Sequence, residues 1–238
     1  GSLPGDRHPQ VPRRVGEIHQ PLRRYLQCLH FVVHVPVQAL PARHVRHVVV
    51  VVQVFVKLDN GQARYSFFDE NSASRMLTTK DLPKLAADVN ALHFGSISLI
   101  PEPGGSTLEA LMVREAETRV ICLDPNIRAS FIKDRRGYLE RINRLIAMCD
   151  ILKISDEDIT WITGKTDLTA AAKKSLNAGA KVVVVTRGEN GVEAFTKGLS
   201  FKQPSINVKV VDTVGAGDTF TAGFLASLQK AGKLNKAA

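Results

Sequence analysis

Between residues 92 and 186 the chain alternates short apolar runs rich in β-branched residues with longer stretches of helical spacing. The runs are 92–98, 120–123, 151–154 and 181–186. The helical patterns between them are 105–117, 137–149 and 168–178. Strands that read as nearly continuous apolar runs are those buried on both faces, and strand–helix alternation is how a parallel sheet is built. The expected fold is therefore α/β, a mainly parallel sheet covered by helices on both faces. Ligands of such sheets bind beyond the carboxyl ends of the strands, so the segments following residues 123, 154 and 186 are the places to look for chemistry. Upstream, residues 54–59 and 62–68 flank Asn60-Gly61, a strong two-residue hairpin signal.

Near the C-terminus stands Val211-Asp212-Thr213-Val214-Gly215-Ala216-Gly217-Asp218-Thr219-Phe220. Gly215 and Gly217 open positive-φ conformations and leave room for a ligand near the main chain. Phe220, Phe224, Leu225 and Leu228 follow at helical spacing, predicting a helix over 219–230. A glycine-rich turn opening a helix presents unpaired N–H groups and the positive end of the helix dipole to an anion. Asp218 is a carboxylate placed where phosphate charge would gather, a position that suits a base for an attacking hydroxyl. The competing reading is a plain strand-to-helix connection with Asp218 as N-cap.

The longer string Asp-Thr-Val-Gly-Ala-Gly-Asp-Thr-Phe resembles the C-terminal signature of the ribokinase-like (PfkB-type) carbohydrate kinases. Other segments fall in that family's order: Leu58-Asp59-Asn60-Gly61 through Glu70-Asn71-Ser72-Ala73-Ser74-Arg75-Met76-Leu77, Phe94-Gly95-Ser96-Ile97-Ser98-Leu99, Asp124-Pro125-Asn126-Ile127-Arg128 and Lys153-Ile154-Ser155-Asp156-Glu157-Asp158. The likeness covers roughly residues 55–230 and is greatest to bacterial fructokinases. It implies a ribokinase-like three-layer sandwich with a small β lid over the sugar, to which the 54–68 hairpin would belong. It implies Asp218 as catalytic base and Gly215, Ala216 and Gly217 as an anion hole. It places Asn126 and Arg128 near the phosphates, Thr186, Gly188, Gly191 and Thr213 along the nucleotide, and Ser155 and Asp158 where the family has N-x-x-E, with Asp158 positioning magnesium through water. The implied cofactors are ATP and Mg2+, and the implied partner is a small sugar. The family also opens with a strand, a sugar-binding Asp and a Gly-Gly motif that residues 1–56 do not carry, and it continues beyond Leu228 through further helices and an adenine-holding loop. The expected core is thus incomplete at both ends.

Residues 1–56 differ in kind. They hold seven Arg, no Lys, six of the seven His, and only Asp6 and Glu17 as acids, giving +5 of the chain's +9 net charge. The change to family-like sequence is abrupt, as translation in a wrong reading frame would produce. The domain expectation is therefore an anomalous segment 1–56 followed by a kinase core 57–238. The arginines lack the aromatic interleaving of a nucleic-acid module. His30, His34, His44 and His47 lie among Pro36, Pro41 and a 48–52 valine run without a completing Cys or acid, so no metal site is expected there. Cys28, Cys122 and Cys149 have no metal spacing and read as buried thiols of a reducing compartment. With no apolar run of membrane-spanning length and no signal-peptide core, the expectation is a cytoplasmic enzyme, homodimeric if the lid strands pair at their edges. Three functions stay open: a fructokinase-like kinase, a 2-keto-3-deoxygluconate or nucleoside kinase of the same family, and a non-catalytic remnant.

Overall fold

The structure is a computed structural model, and it describes residues 53–59, 62–68, 75–210 and 213–237. Cys28, the four histidines, the Asn60-Gly61 turn, Glu70 to Ser74 and Val211-Asp212 lie outside the described residues.

The chain divides into two compact units. Within the described residues the first is a hairpin of β1 (Gln53–Asp59) and β2 (Gln62–Phe68), antiparallel from Gln53 opposite Phe68 to Asp59 opposite Gln62. That register leaves two residues for the connection, as the Asn-Gly signal requires.

The second unit carries a six-stranded sheet in the order β3-β4-β5-β6-β7-β8. β3 (Ala91–Gly95), β4 (Val120–Asp124), β5 (Ile151–Ser155) and β6 (Val182–Thr186) run parallel. β7 (Val192–Phe195) and β8 (Ser200–Gln203) extend the sheet antiparallel. These last two strands form a mixed edge that the apolar-run pattern does not reveal, because β8 is exposed along its whole length. The run predicted over 92–98 stops at Gly95 and continues as a single tight turn, Ser96–Leu99.

The helices are α1 (Gly104–Glu115), α2 (Arg135–Met148), α3 (Asp156–Thr163), α4 (Leu168–Ala178) and α5 (Ala216–Lys230). Local chemistry starts and stops them. The side chains of Asp134, Ser155 and Asp167 each accept a hydrogen bond from the amide three residues on, satisfying first-turn donors. Gly164, at φ 68°, closes α3 in the left-handed conformation that favours glycine.

Strand alternation separates two packing faces. Ile121, Leu123, Leu152, Ile154, Val183 and Val185 point into a large cluster with Met112, Tyr138, Ile142, Leu145, Ile159, Ala172 and Leu176 from α1 to α4. Val120, Cys122 and Ile151 point the other way, with Ala91 and Val182, and meet Phe224, Leu225 and Leu228 of α5. Cys122 and Cys149 are buried free thiols, as expected, and burial pushes both up to about 12. Asp150, at the amino end of β5, accepts from the Ile121 amide at 2.8 Å and from Lys236, tying the chain's end to the edge opposite the strands' carboxyl ends. Among the described residues no helix is long and apolar enough to cross a membrane.

Candidate active site

α5 begins earlier than its apolar spacing indicates. Gly215 is its N-cap at φ 78°, so Ala216, Gly217 and Asp218 form the first helical turn. Asp218 is therefore not an N-cap; the cap has no side chain at all. Ala216 N–H donates to Thr213 O at 3.1 Å, and Thr219 N–H is the first to reach a carbonyl four residues back, that of Gly215 at 2.8 Å. The amides of Gly217 and Asp218 between them belong to the set that a helix start leaves without an intrahelical partner. Gly217, unlike Gly215, does not need positive φ. Its neighbour is close: a Cβ there would stand 3.2 Å from Lys153 Nζ, which would have to shift to make room.

Lys153 lies on the α5-facing side of β5, two residues beyond Ile151. Asp124 lies two beyond Cys122 on β4, and Cys122 is register partner to Ile151. The same alternation carries His93 on β3, two beyond Ala91. Lys153 Nζ donates to Asp124 Oδ2 at 2.9 Å, and both residues are more than nine-tenths buried. Asp124 Oδ1 is buried with no partner among the described residues. Asp218 is exposed and close enough to His93 to influence its titration. His93 keeps an open outer side, but the protein packed around the rest of it holds its pKa below the ordinary value. The Asp124 and Asp218 carboxylates partly oppose that shift, while Lys153 adds to it.

Two loops complete the edge. Asn126, just after β4, takes φ 40°, a left-handed conformation that Asn tolerates better than most residues. The turn aims the Ile127 N–H at Asp158 Oδ1, 3.1 Å away. Asp158 N–H in turn donates to the Ser155 hydroxyl at 3.0 Å. Asp158 is buried in the first turn of α3, and burial pushes its carboxyl up to about 6 against the pull of the Ile127 amide and the Ser155 hydroxyl. Arg128 is partly exposed, with Nη1 3.4 Å from Ile127 O.

Thr186 ends β6 in register with Ser155. Gly188 and Gly191, at φ 52° and 81°, make the tight turn from β6 to β7. At Gly191 a Cβ would meet Gln203 O at 2.1 Å. The structure thus brings Asn126, Ser155, Asp158 and Thr186 together at the carboxyl ends of β4 to β6, with Gly217 beside Lys153. Thr213 is joined to this edge through the turn that opens α5. Gly188 and Gly191 stand one step out, reached through Thr186.

Asp124, Lys153 and His93 were not among the expected site residues. Their signal was present: polar residues interrupting buried strand runs, two of them at matching positions on neighbouring strands. Among the described residues no group of three or more His, Cys, Asp or Glu side chains could hold a metal. A magnesium ion bound mainly by water and phosphate needs only one or two carboxylates. The Asp158 carboxyl, at the strands' carboxyl edge and engaged by the Ile127 amide and the Ser155 hydroxyl, is a ligand of the kind such a role takes.

A helix amide end, a nearby carboxylate and a buried ammonium at the carboxyl edge of a parallel sheet are the parts from which phosphoryl-handling sites are made. Residues 53–238 match the pfkB family carbohydrate kinases, and the chain belongs to that family. It is 57% identical over 182 residues to a fructokinase of Rhizobium leguminosarum bv. trifolii, a match covering 76% of this chain and 56% of the relative. It is 37% identical over 181 residues to a fructokinase of Klebsiella pneumoniae, covering 74% and 58%. The crystal structure of fructokinase from Vibrio cholerae O395 in its fructose-, ADP- and calcium-bound form superimposes with a TM-score of 0.66 at 26% identity, over 74% of this chain and 58% of that one. The chain therefore spans somewhat more than half the length of the relatives it matches.

Proposed function

We propose that the protein is an ATP-dependent sugar kinase of the fructokinase type. The observation that carries this reading is the start of α5. Gly215 turns the chain so that the helix's amide end and the Asp218 carboxylate share one turn, beside Lys153 and His93 at the strands' carboxyl ends. In the reaction Asp218 takes the proton of a sugar hydroxyl as its oxygen attacks the γ-phosphorus of ATP. The bond from that phosphorus to the β–γ bridging oxygen breaks, ADP leaves, and the phosphoryl group passes to the sugar. The turn Gly215-Ala216-Gly217 is the anion hole, and the Gly217 and Asp218 amides at its helix end are the ones free to meet the charge that accumulates on the phosphoryl oxygens. Asn126, Arg128 and Thr213 approach the phosphates, while Ser155, Thr186, Gly188 and Gly191 line the nucleotide's path. Asp158 would hold Mg2+ through water, and the ion would supply charge neutralisation for the phosphates.

The identity to the Rhizobium and Klebsiella fructokinases supports fructose as acceptor. On this reading residues 57–238 are the kinase core, with the hairpin near 54–68 as its sugar lid and a route to homodimers. The out-of-frame segment expected over 1–56 is then the part of it that precedes the family match at residue 53, an assignment that sequencing the encoding DNA tests. The setting is cytoplasmic, with no specific nucleic-acid or membrane partner. The experiment is a coupled ADP-release assay with ATP, magnesium and a panel of fructose, 2-keto-3-deoxygluconate and nucleosides. Fructose-dependent release that Asp218→Asn abolishes supports the proposal. Release that Asp218→Asn leaves unchanged overturns it.

A further inference from the structure

We infer that Lys153 is a positioning residue of the phosphoryl site: its ammonium, tethered by Asp124, is a fixed positive charge beneath the amide end of α5. The inference rests on the kinase reading of that turn and adds a residue pair to it. A lysine in the middle of a buried strand is costly to desolvate, and this one is 7% exposed. Among the described residues its one hydrogen-bond acceptor is Asp124 Oδ2 at 2.9 Å, although an ammonium has three protons to donate. Asp124 likewise commits one oxygen and leaves Oδ1 buried without a partner.

A pair built for stability alone would be expected to spend these groups. This one is half-spent and sits where α5 begins. Gly217 is the residue that lets it do so, since any side chain there would press on Nζ. The ammonium therefore lies on the side of Gly217 that a Cβ would occupy, and the charge adds to the field of the helix N-terminus. Its effect falls on whatever anion occupies the turn. On the kinase reading that anion is the terminal phosphoryl group, the one feature that separates a triphosphate from a diphosphate.

Calorimetry with magnesium and either ADP or an ATP analogue with a non-hydrolysable β,γ link tests this on three proteins: the full chain, the double variant Lys153→Met with Asp124→Asn, and Lys153→Gln. The double variant removes both charges together, so no buried ion is left alone. Lys153→Gln keeps an amide donor on a side chain one atom shorter and leaves the buried Asp124 carboxylate without its counter-charge, so it isolates the loss of the ammonium at a cost in stability. The double variant should melt near the unaltered chain and Lys153→Gln below it; both, measured as folded protein, should bind the triphosphate analogue about tenfold or more weakly and hold ADP within about twofold, since the lost charge acts only at the terminal phosphate. Equal weakening for both nucleotides, unchanged triphosphate affinity, or failure of both variants to fold would each make the pair a structural one and overturn the inference. If the unaltered chain itself binds no triphosphate, the kinase reading of the turn fails, and the inference with it. That outcome is told apart by the protein in which it occurs.

Discussion

The two faces of the central sheet are made from the same strands and do different work. On the face under α1 to α4 every inward position of β4, β5 and β6 is apolar: Ile121 and Leu123, Leu152 and Ile154, Val183 and Val185, each 3% exposed or less. On the face under α5 the apolar positions give way toward the carboxyl end to Asp124 on β4 and Lys153 on β5, with His93 on β3, and the covering residues of α5 are only partly buried. Alternation with a period of two lets one strand serve both faces. The first is packed for stability, and the second trades some packing for buried charge near a ligand edge. Changes on the two faces should therefore separate into losses of stability and losses of function.

The largest separation is expected at Asp218. Asp218→Asn removes an exposed carboxylate from the first turn of α5, so the melting temperature should fall little, by no more than the few tenths to about 1 kcal/mol that a charge contributes there. Turnover should fall by about two to four orders of magnitude, the usual worth of a general base. Turnover and melting measured on one preparation decide it; a parallel loss of both would remove the contrast between the faces. The opposite pattern is expected at Leu152→Ala. Leu152 is 1% exposed in the α1–α4 cluster, and its truncation should cost about 2–5 kcal/mol in chemical denaturation while nucleotide affinity in the remaining folded protein stays close to normal.

How much of this was legible beforehand follows from the same contrast. Apolar periodicity located β3 to β6, α1, α2 and α4, because those elements bury a continuous face. It could not locate β7 and β8, since β8 is exposed throughout and its short run carries no burial pattern. The Gly215-Ala216-Gly217-Asp218 turn was legible as a glycine-rich helix start, yet the reason for Gly217 was not. Its cause is a lysine 64 positions earlier, and only the fold brings the two together. Lys153 and Asp124 were visible as charges in apolar strands, but their pairing depends on the β4–β5 register. Asn126 read as a phosphate-side residue, while its left-handed turn, which hands the Ile127 amide to Asp158, needed coordinates.

A smaller effect on the site face concerns pH. His93 is held below its ordinary pKa of 6.5, chiefly because the protein packed around its inner side desolvates it. The unfolded chain therefore binds a proton there at higher pH than the folded one does, and the neutral form is the one the fold favours. The sign follows: this part of the stability is present above 6.5 and is lost as pH falls below that value toward the folded pKa. His93→Gln should flatten that segment of the melting-temperature profile and leave the neutral-pH value nearly unchanged. A variant profile parallel to that of the unaltered chain would show that His93 is not set among the Asp124, Lys153 and Asp218 charges in the way described.

The smallest expected change in stability, and the sharpest probe of the contrast, is Gly217→Ala. In a helix interior alanine is favoured over glycine by about 0.5–1 kcal/mol through backbone entropy. The new methyl would lie 3.2 Å from Lys153 Nζ, the end of a flexible side chain that can yield by a few tenths of an ångström. Folding free energy should thus be unchanged or slightly raised. The ammonium, however, can yield only by moving away from the turn or by straining its 2.9 Å bond to Asp124. Denaturation and triphosphate binding measured together should show a protein at least as stable as the unaltered chain that binds the nucleotide several-fold more weakly, the magnitude expected when a charge-assisted contact is loosened and not removed. At the inward apolar positions of β4 to β6 on the α1–α4 face no substitution should produce that combination, since there the contacts that hold the fold are all that the side chains provide.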